Sequence, residues 1–562
     1  MTVSGSGSAG SISRWGLGAR DRRELLGLTG LAVLGLVGII LVVATGGRLA
    51  RQPAAIPPTL WGGLLGAVNL DKRSMLPAVL ICGVTLTLLA WSRAFLLVST
   101  HRLAQRQVIG LLVVWATPVT LGPPILSLDV YSYAAHGLMI TTGLDPYHAV
   151  PAALPLDSPQ LAAVDPLWRF AKAPYGPLAE GICALAQIVA RGNLVAIVII
   201  LRILALVGVI LIAVGVWALA PAGRRAEALV LAALNPIVLF QLLGAVHLEA
   251  LMMGLTAMGL LAVRRGRPAL GLALLAAATA IKWPAALAVL AVVAWRAASP
   301  PEDAPFEEAP FEEAPGKVGR ARRRLHVPRT LAHDLGVVAI VTLALAAVIP
   351  DGFGWLRAAG TPSTVPTQYS PTVIAADLLG RLSEWLGGTG SPDRFLPTTQ
   401  LAGLAVAALV IARLLLTVRS RSAAATAGWA MLTLALLGPV LHPWYLAWGL
   451  IPLAITPTRR RRWAVLLVTA AGAFLALQHC SLLFAGNPAL LEWIRARAAI
   501  VAAVSYLIAA ALVWAMIRRA AAAEAPPPAL SATGSGRRPT DPGPRPREER
   551  NNGVACGRLF RP

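Results

Sequence analysis

Long stretches without a single charge constrain this chain more than any other feature. Leu25–Gly47, Gln107–Leu128 and Ala498–Ile517 run for 23, 22 and 20 residues with no Asp, Glu, Lys or Arg. About 20 mostly apolar residues cross a bilayer as a helix. The pattern therefore predicts an all-α polytopic membrane protein. A transmembrane β-barrel is excluded, because barrel strands alternate apolar and polar residues instead of running apolar throughout. Composition agrees: charged residues make up 13% and hydrophobic ones 57% of 562 residues, whereas a soluble chain carries about 25% charged residues. A soluble enzyme, a coiled coil and a secreted disulfide scaffold are excluded on the same grounds.

The formal net charge of +23 would suit nucleic acid if it formed a stripe with interleaved aromatic residues. It does not. The basic residues fall in short runs between apolar spans and in the C-terminal tail, as the positive-inside rule expects. The four cysteines, Cys82, Cys183, Cys480 and Cys556, show no zinc or redox spacing. Leu25–Gly47 is too long for a signal peptide and lacks a clear cleavage site, so it reads as a retained signal-anchor.

Crossings are expected near 25–46, 75–92, 107–127, 228–246, 250–263, 268–281, 283–295, 335–350, 397–412, 424–441, 444–457, 463–481 and 498–517, with one more within 177–223. That makes a bundle of about 14 helices with both ends cytoplasmic. On this arrangement 35 Lys/Arg lie inside and 12 outside, with Arg191 and Arg202 unassigned, a strong orientation signal. Two places strain it. Pro177–Ala190 is short enough to dip in or lie flat, which leaves 203–223 as the true span. Lys282 and Pro284 divide 268–295 into two short crossings, with Lys282 at the outer tip.

This arrangement implies a modular chain. Residues 1–24 form a disordered cytoplasmic tail, and 25–297 an N-terminal transmembrane catalytic module with an external loop at 128–176. Residues 298–334 form a low-complexity cytoplasmic linker, marked by the repeat Ala-Pro-Phe-Glu-Glu at 304–308 and 309–313. A C-terminal transmembrane module covers 335–518, with a second external loop at 351–400. Residues 519–562 form a disordered tail. The two long loops contain aromatic residues and are not low-complexity, which marks them as functional.

The chemistry gathers at the outer tips. Asp129 ends an apolar run in Ser127-Leu-Asp-Val-Tyr-Ser-Tyr133. Partial desolvation there would raise its pKa toward that of a general base; the rival reading is a solvated helix stop. Tyr131 and Tyr133 suit an interfacial belt or a sugar platform. The loop continues through Gly143-Leu-Asp-Pro-Tyr147 and Trp168-Arg169 to Ala173-Pro-Tyr-Gly-Pro177. That is a lid over a pocket, or an ordinary turn-rich loop. Tyr147 and Tyr175 present rings there, and Asp145 reads first as a turn former. Arg169 and Lys172 would meet either a phosphate or lipid headgroups. His247 and Glu249 lie two residues apart at a hairpin tip, where ionisable groups are costly; the rival is a polar turn. Lys282 either holds a lipid phosphate as a point charge or snorkels to the headgroups. His442, Trp444 and Tyr445 form a third tip, which an aromatic belt also explains. Asp129, His247, Glu249, Lys282 and His442 come to one face on a topology set by Lys/Arg counts alone. A transporter would instead place its polar groups near the midplane, on broken helices of two related halves.

An Asp following the first apolar run of an external loop resembles the C-type membrane glycosyltransferases that use lipid-phosphate sugars. Asp129-Val-Tyr-Ser-Tyr, Gly143-Leu-Asp-Pro-Tyr147, Ala173-Pro-Tyr-Gly-Pro-Leu178, Asn235-Pro236 and Glu249-Ala-Leu-Met252, in this order, resemble the actinobacterial polyprenol-phosphate-mannose-dependent α-1,6-mannopyranosyltransferases. The resemblance runs from about 25 to 517 and does not separate their A and B subgroups. One departure is plain: the family has His-Asn-Glu at the hairpin tip, and this chain has His247-Leu248-Glu249.

The resemblance implies a GT-C-like fold in the plasma membrane with an extracytoplasmic site. It implies an inverting transfer of mannose from a polyprenyl-phosphate donor to a lipid-anchored α-1,6-mannan, as in lipomannan assembly. Asp129 would be the base. Lys282, His247 and Arg169 would face the donor phosphate. Tyr131, Tyr133, Asp145, Tyr147, Tyr175, Glu249, His442, Trp444 and Tyr445 would contact substrate. No metal and no cofactor are expected, and membrane lipids are the other partner. The rivals are transfer of another sugar from a polyprenyl phosphate, and a lipid-linked sugar flippase or transporter.

Overall fold

The structure is a computed structural model that describes residues 19–49, 53, 55–57, 60–61, 76–298, 317–364, 367–388, 390–456 and 458–479. The chain divides into two units, Met1–Ala515 and Met516–Pro562. The second unit lies outside the described residues, as do most of the expected N-terminal tail, the first half of the linker and the crossing at 498–517.

Among the described residues every regular element is helical. The first group is α1 (Ala19–Leu49), α2 (Leu76–Ser99) and α3 (Gln105–Leu121). The stretch expected to be the first external loop holds α4 (Asp129–Thr141) and α5 (Pro159–Ala163), and is followed by α6 (Pro177–Val189). Next come α7 (Leu194–Leu219), α8 (Arg225–Leu231), a π-helical turn at Val238–Gly244, α9 (Glu249–Arg264), α10 (Pro268–Thr279) and α11 (Ala286–Ala298). The C-terminal half has α12 (Lys317–Ala346), α13 (Trp355–Ala358), α14 (Pro371–Trp385), α15 (Pro392–Leu416), α16 (Ala423–Leu437), α17 (Leu446–Ile455) and α18 (Arg459–His479).

Five of these helices hold a stretch long and apolar enough to cross a membrane, or six with the bent pair Val238–Gly244 and Glu249–Arg264 taken as one span. The chain is a helical membrane protein, but its described helices do not repeat the fourteen expected crossings. Proline is the main reason. Pro268, Pro284, Pro371, Pro392 and Pro443 all sit at helix starts, where the missing N–H costs nothing. They divide apolar sequence into pieces such as Pro268–Thr279 and Ala423–Leu437, shorter than a bilayer span. Other boundaries also move. The true span in 177–223 is all of Leu194–Leu219, not 203–223. The expected span 228–246 breaks after Leu231. The second half of the expected linker is already helix α12, whose first residues, Lys317–Leu325, hold four arginines, a good helix former.

Two glycine contacts hold the helices that carry the polar side chains. Helix α7 packs on α9 through Gly208, where a Cβ would stand 2.3 Å from the carbonyl carbon of Ala250. Only glycine allows that approach, the small-residue contact typical of membrane helices, and it fixes the start of α9. Helix α4 packs on α6 through Gly137, where a Cβ would stand 2.3 Å from the carbonyl oxygen of Cys183.

Asn235-Pro236 sets the break after α8. The Asn235 amide donates to Leu231 O at 3.0 Å and to Thr469 Oγ1 at 2.7 Å, while its Oδ1 accepts from Ile237 N at 2.9 Å. A buried asparagine thus satisfies the broken helix and holds the π turn against α18. Arg202, buried within α7, donates to Val119 O and Thr120 O at the end of α3. It serves as a helix-end partner for carbonyls that α3 leaves unpaired.

Candidate active site

Asp129 begins a helix instead of ending one. Helix α3 stops at Leu121, ahead of Gly122-Pro123-Pro124, and Asp129 opens the first turn of α4. A carboxylate suits that place, since the first turn offers unpaired N–H groups and the positive end of the helix dipole. Leu126 is in the left-handed region (φ 62°), and so is Val246 just before His247 (φ 61°). A β-branched residue there is strained, a feature that clusters at functional sites. The two turns are tied together, because Ile125 N donates to Gly244 O at 3.1 Å.

This joint brings the first cluster together. His247 Nδ1 lies 3.7 Å from Asp129 Oδ2 and 4.0 Å from Glu249 Oε2. Tyr133 Oη stands 3.4 Å from the same nitrogen. Glu249, fully buried at the start of α9, accepts from Lys282 Nζ at 2.5 Å. The Lys282 ammonium also faces three rings: Tyr175 at 4.8 Å, Tyr445 at 4.9 Å and Trp448 at 5.8 Å. Cation–π attraction adds to the ion pair there. The 173–178 segment is fixed beside it, as Gly176 N donates to Ile281 O at 2.9 Å and Leu178 N to Ala280 O at 3.0 Å.

The aromatic tip at 442–448 closes the other wall. Trp444 is sandwiched between His442 (4.6 Å) and His247 (4.1 Å), and Tyr445 stacks on Trp448 at 4.0 Å. The edge of Trp168 approaches His442 at 6.4 Å. Between these walls runs a cleft of about 450 Å³, lined by Asp129, Ser132 and His136 from one face of α4 and by Lys282, His442 and Trp444 opposite. A second cavity of about 840 Å³ shares Pro174, Lys282, Pro362 and Tyr445 with it and continues past Leu404, Leu434 and Val440. Burial pushes the Asp129 carboxyl up to about 7, and this outweighs the lowering by nearby Lys282. At neutral pH such a group is a carboxylate about half the time, poised to take a proton.

The other expected site residues lie in different places. Tyr131 is fully buried and does not line the cleft. Tyr133 stands behind the wall, its hydroxyl 3.3 Å from that of Tyr175. Tyr147 is buried too, and its hydroxyl donates to Tyr175 O at 2.9 Å; it positions Tyr175, which does line the cleft. Arg169 is turned away from the cleft, with its guanidinium donating to Val164 O and Ala162 O; it stitches the lid. Asp145 accepts from Tyr147 N at 2.8 Å in a turn. With His148 and Asp351 it forms a group of metal-ligating type outside the cleft. The Arg357 guanidinium pairs with Asp351 and stands 3.3 Å from His148 Nε2, so a cation already joins the two long loops there.

Sequence reasoning passed over His136, Glu180 and Trp448. His136 follows Asp129 and Ser132 at i+7 and i+4, which is the signal of a shared helix face.

A cleft lined by a buried carboxyl, a lysine, histidines and stacked rings, set among apolar helices, defines a helical membrane protein with a polar site between its helices. The comparisons with known proteins give the family. Residues 32–298 match the model described as "Alpha-(1->6)-mannopyranosyltransferase, N-terminal domain", and residues 371–514 match the "MptB C-terminal domain". A probable α-(1→6)-mannopyranosyltransferase of Mycolicibacterium smegmatis is 30% identical over 81% of this chain and 85% of its own. α-(1→6)-Mannopyranosyltransferase A of Mycobacterium tuberculosis is 30% identical over 77% and 81%. α-(1→6)-Mannopyranosyltransferase B of Corynebacterium glutamicum is 29% identical over 60% and 57%. The chain belongs to the α-(1→6)-mannopyranosyltransferase family. No solved structure matches it.

Proposed function

We propose that the chain is an inverting mannosyltransferase of the cell membrane. It moves mannose from a polyprenyl-phosphate donor to an α-1,6-linked, lipid-anchored mannan at the extracytoplasmic face, as in lipoglycan assembly. The observation that carries this reading is Asp129, a buried carboxyl near pKa 7 on the wall of an aromatic cleft, in a chain whose relatives bear the names of α-1,6-mannosyltransferases.

Inversion needs one in-line displacement. The acceptor's 6-oxygen attacks C1 of the donor mannose, its proton passes to Asp129, and the C1–O bond to phosphate breaks with its electron pair on the phosphate oxygen. That oxygen leaves as a phosphate monoester anion, so no general acid is required. Lys282 gives one N–H to Glu249 and keeps two donors. At the junction of the two cavities it is the group that would meet the growing phosphate charge. The second cavity, with its apolar wall of Leu404, Leu434 and Val440, suits the first isoprene units. The rings of Trp168, Trp444 and Tyr445 give a mannose apolar faces and exclude water.

The test uses sealed right-side-out vesicles with labelled polyprenyl-phosphate mannose in their membrane and a short α-1,6-mannoside outside. The expected result is a labelled, α-linked product in the external medium. Transfer only after the vesicles are opened, or only from a nucleotide sugar, would refute the reading.

A further inference from the structure

The wall of the cleft carries a second carboxylate–imidazole pair that the chemistry at Asp129 does not use. His136 Nδ1 lies 3.2 Å from Glu180 Oε1. Glu180 is wholly buried on α6, and its other oxygen, Oε2, has no hydrogen-bond partner among the described residues. The close approach of α4 and α6 at Gly137 is what brings the two side chains together. A buried carboxylate with one partner costs stability, and an apolar pair of similar volume would serve packing at least as well. What the pair does is fix a ring. Glu180 engages Nδ1, so Nε2 is the ring nitrogen left for a ligand, and a sugar hydroxyl can pair with it because a hydroxyl both donates and accepts. The ring lines the cleft.

Position says what that nitrogen meets. His136 is seven residues beyond Asp129 on α4, about 10 Å along the helix at 1.5 Å per residue. That exceeds the width of one pyranose ring. Lys282, the cation proposed to meet the phosphate, opens into the apolar second cavity, which His136 does not line. Tyr175 contacts both regions, with its ring 6.4 Å from the His136 ring and 4.8 Å from Lys282 Nζ. A single pyranose at Asp129 therefore does not also span to His136, which leaves His136 for the next sugar along.

We infer that His136, held by Glu180, is the specificity-determining residue of a second acceptor subsite, where Nε2 shares a hydrogen bond with a hydroxyl of the penultimate hexose of the acceptor chain. This rests on the proposed transfer. It makes the enzyme prefer an acceptor of at least two linked sugars, because binding energy from the remote sugar helps to orient the reacting one.

The experiment compares alkyl mannoside and alkyl α-1,6-mannobioside acceptors in wild type, His136→Ala and Glu180→Gln. Glutamine keeps the shape of Glu180 but both donates and accepts, so it no longer holds the ring as the carboxylate does. Losing one such hydrogen bond raises the disaccharide's KM about tenfold in His136→Ala, and loosening the ring raises it by less in Glu180→Gln. The monosaccharide's kcat/KM falls by less than the disaccharide's, so the disaccharide's advantage shrinks in both variants, while donor KM stays near the wild-type value and thermal melts show separately that the variants fold. A rise in donor KM, an equal loss on both acceptors, or no change on either would overturn the subsite while transfer itself stands. Wild-type protein that transfers to neither acceptor would remove the proposed function, and the subsite with it.

Discussion

Asp129→Asn is expected to cut mannosyl transfer by a factor of about 10² or more, with the protein still inserted and still binding donor. Asparagine keeps the shape and the hydrogen bonds of the helix start, so the Ser127 contact to the backbone N–H of residue 129 at 3.2 Å survives. What it loses is the ability to accept a proton. Asp129→Glu should recover little, because the longer side chain shifts the carboxylate relative to an in-line geometry. The stability effect has the opposite sign. Burial raises the Asp129 carboxyl from 3.8 to about 7, so the folded state favours the protonated form. The contribution of this group to stability is therefore full below pH 4 and is lost as pH rises toward 7. At pH 8 the asparagine variant should melt higher than wild type, and the gain should vanish below pH 4. Loss of activity together with a gain in stability marks a group kept for chemistry. A well-folded Asp129→Asn protein retaining wild-type transfer would remove Asp129 from the mechanism.

The second large effect concerns the pair behind it. Glu249 is fully buried and Lys282 is 4% exposed, so Lys282→Met leaves a carboxylate in the protein interior without its cation. Breaking a buried pair in this way costs about 3–5 kcal/mol, enough to reduce the yield of folded protein several-fold. Lys282→Met combined with Glu249→Gln removes both charges and should restore much of the stability. It should not restore transfer, since the phosphate has lost its cation. Thermal melts and donor KM on the four proteins of the cycle give the coupling. If the double variant is no more stable than Lys282→Met, the two side chains are not a stabilising pair; if it transfers normally, Lys282 has no role toward the donor.

The gathering of these side chains was more legible in the sequence than the bundle around them. Asp129, His247, Glu249, Lys282 and His442 each interrupt an apolar run, and a charge-based ordering of those runs already sends them to one face. The structure gathers all five around Trp444 and the cleft. The spans were harder because apolar length alone does not show where a helix stops. Proline starts many of the short helices, and Asn235-Pro236 replaces a predicted span with a π turn. Gly122-Pro-Pro likewise ends α3 before Asp129, which turns an expected helix stop into a helix start. His136 was half legible, since its spacing puts it on the face of Asp129 and Ser132, but its partner Glu180 was not. Only the contact at Gly137, between segments 46 residues apart (137 and 183), joins them. Arg169 misled in the other direction. An arginine in a loop beside a possible phosphate site suggests recognition, whereas here the carbonyls of its own lid use its guanidinium.

A buried Asp129 that takes the acceptor's proton has a direct kinetic signature. It is the pH dependence of kcat/KM for transfer, because that quantity reports the free enzyme's essential base. The rate should rise about tenfold per pH unit on the acid side, as expected for a single base, and level off near pH 7, where the Asp129 carboxyl titrates. The rising limb should be absent from the residual rate of Asp129→Asn. A wild-type rate that stays flat down to about pH 5, as an ordinary exposed carboxylate or no base at all would give, or an acid limb that persists in the variant, would contradict it.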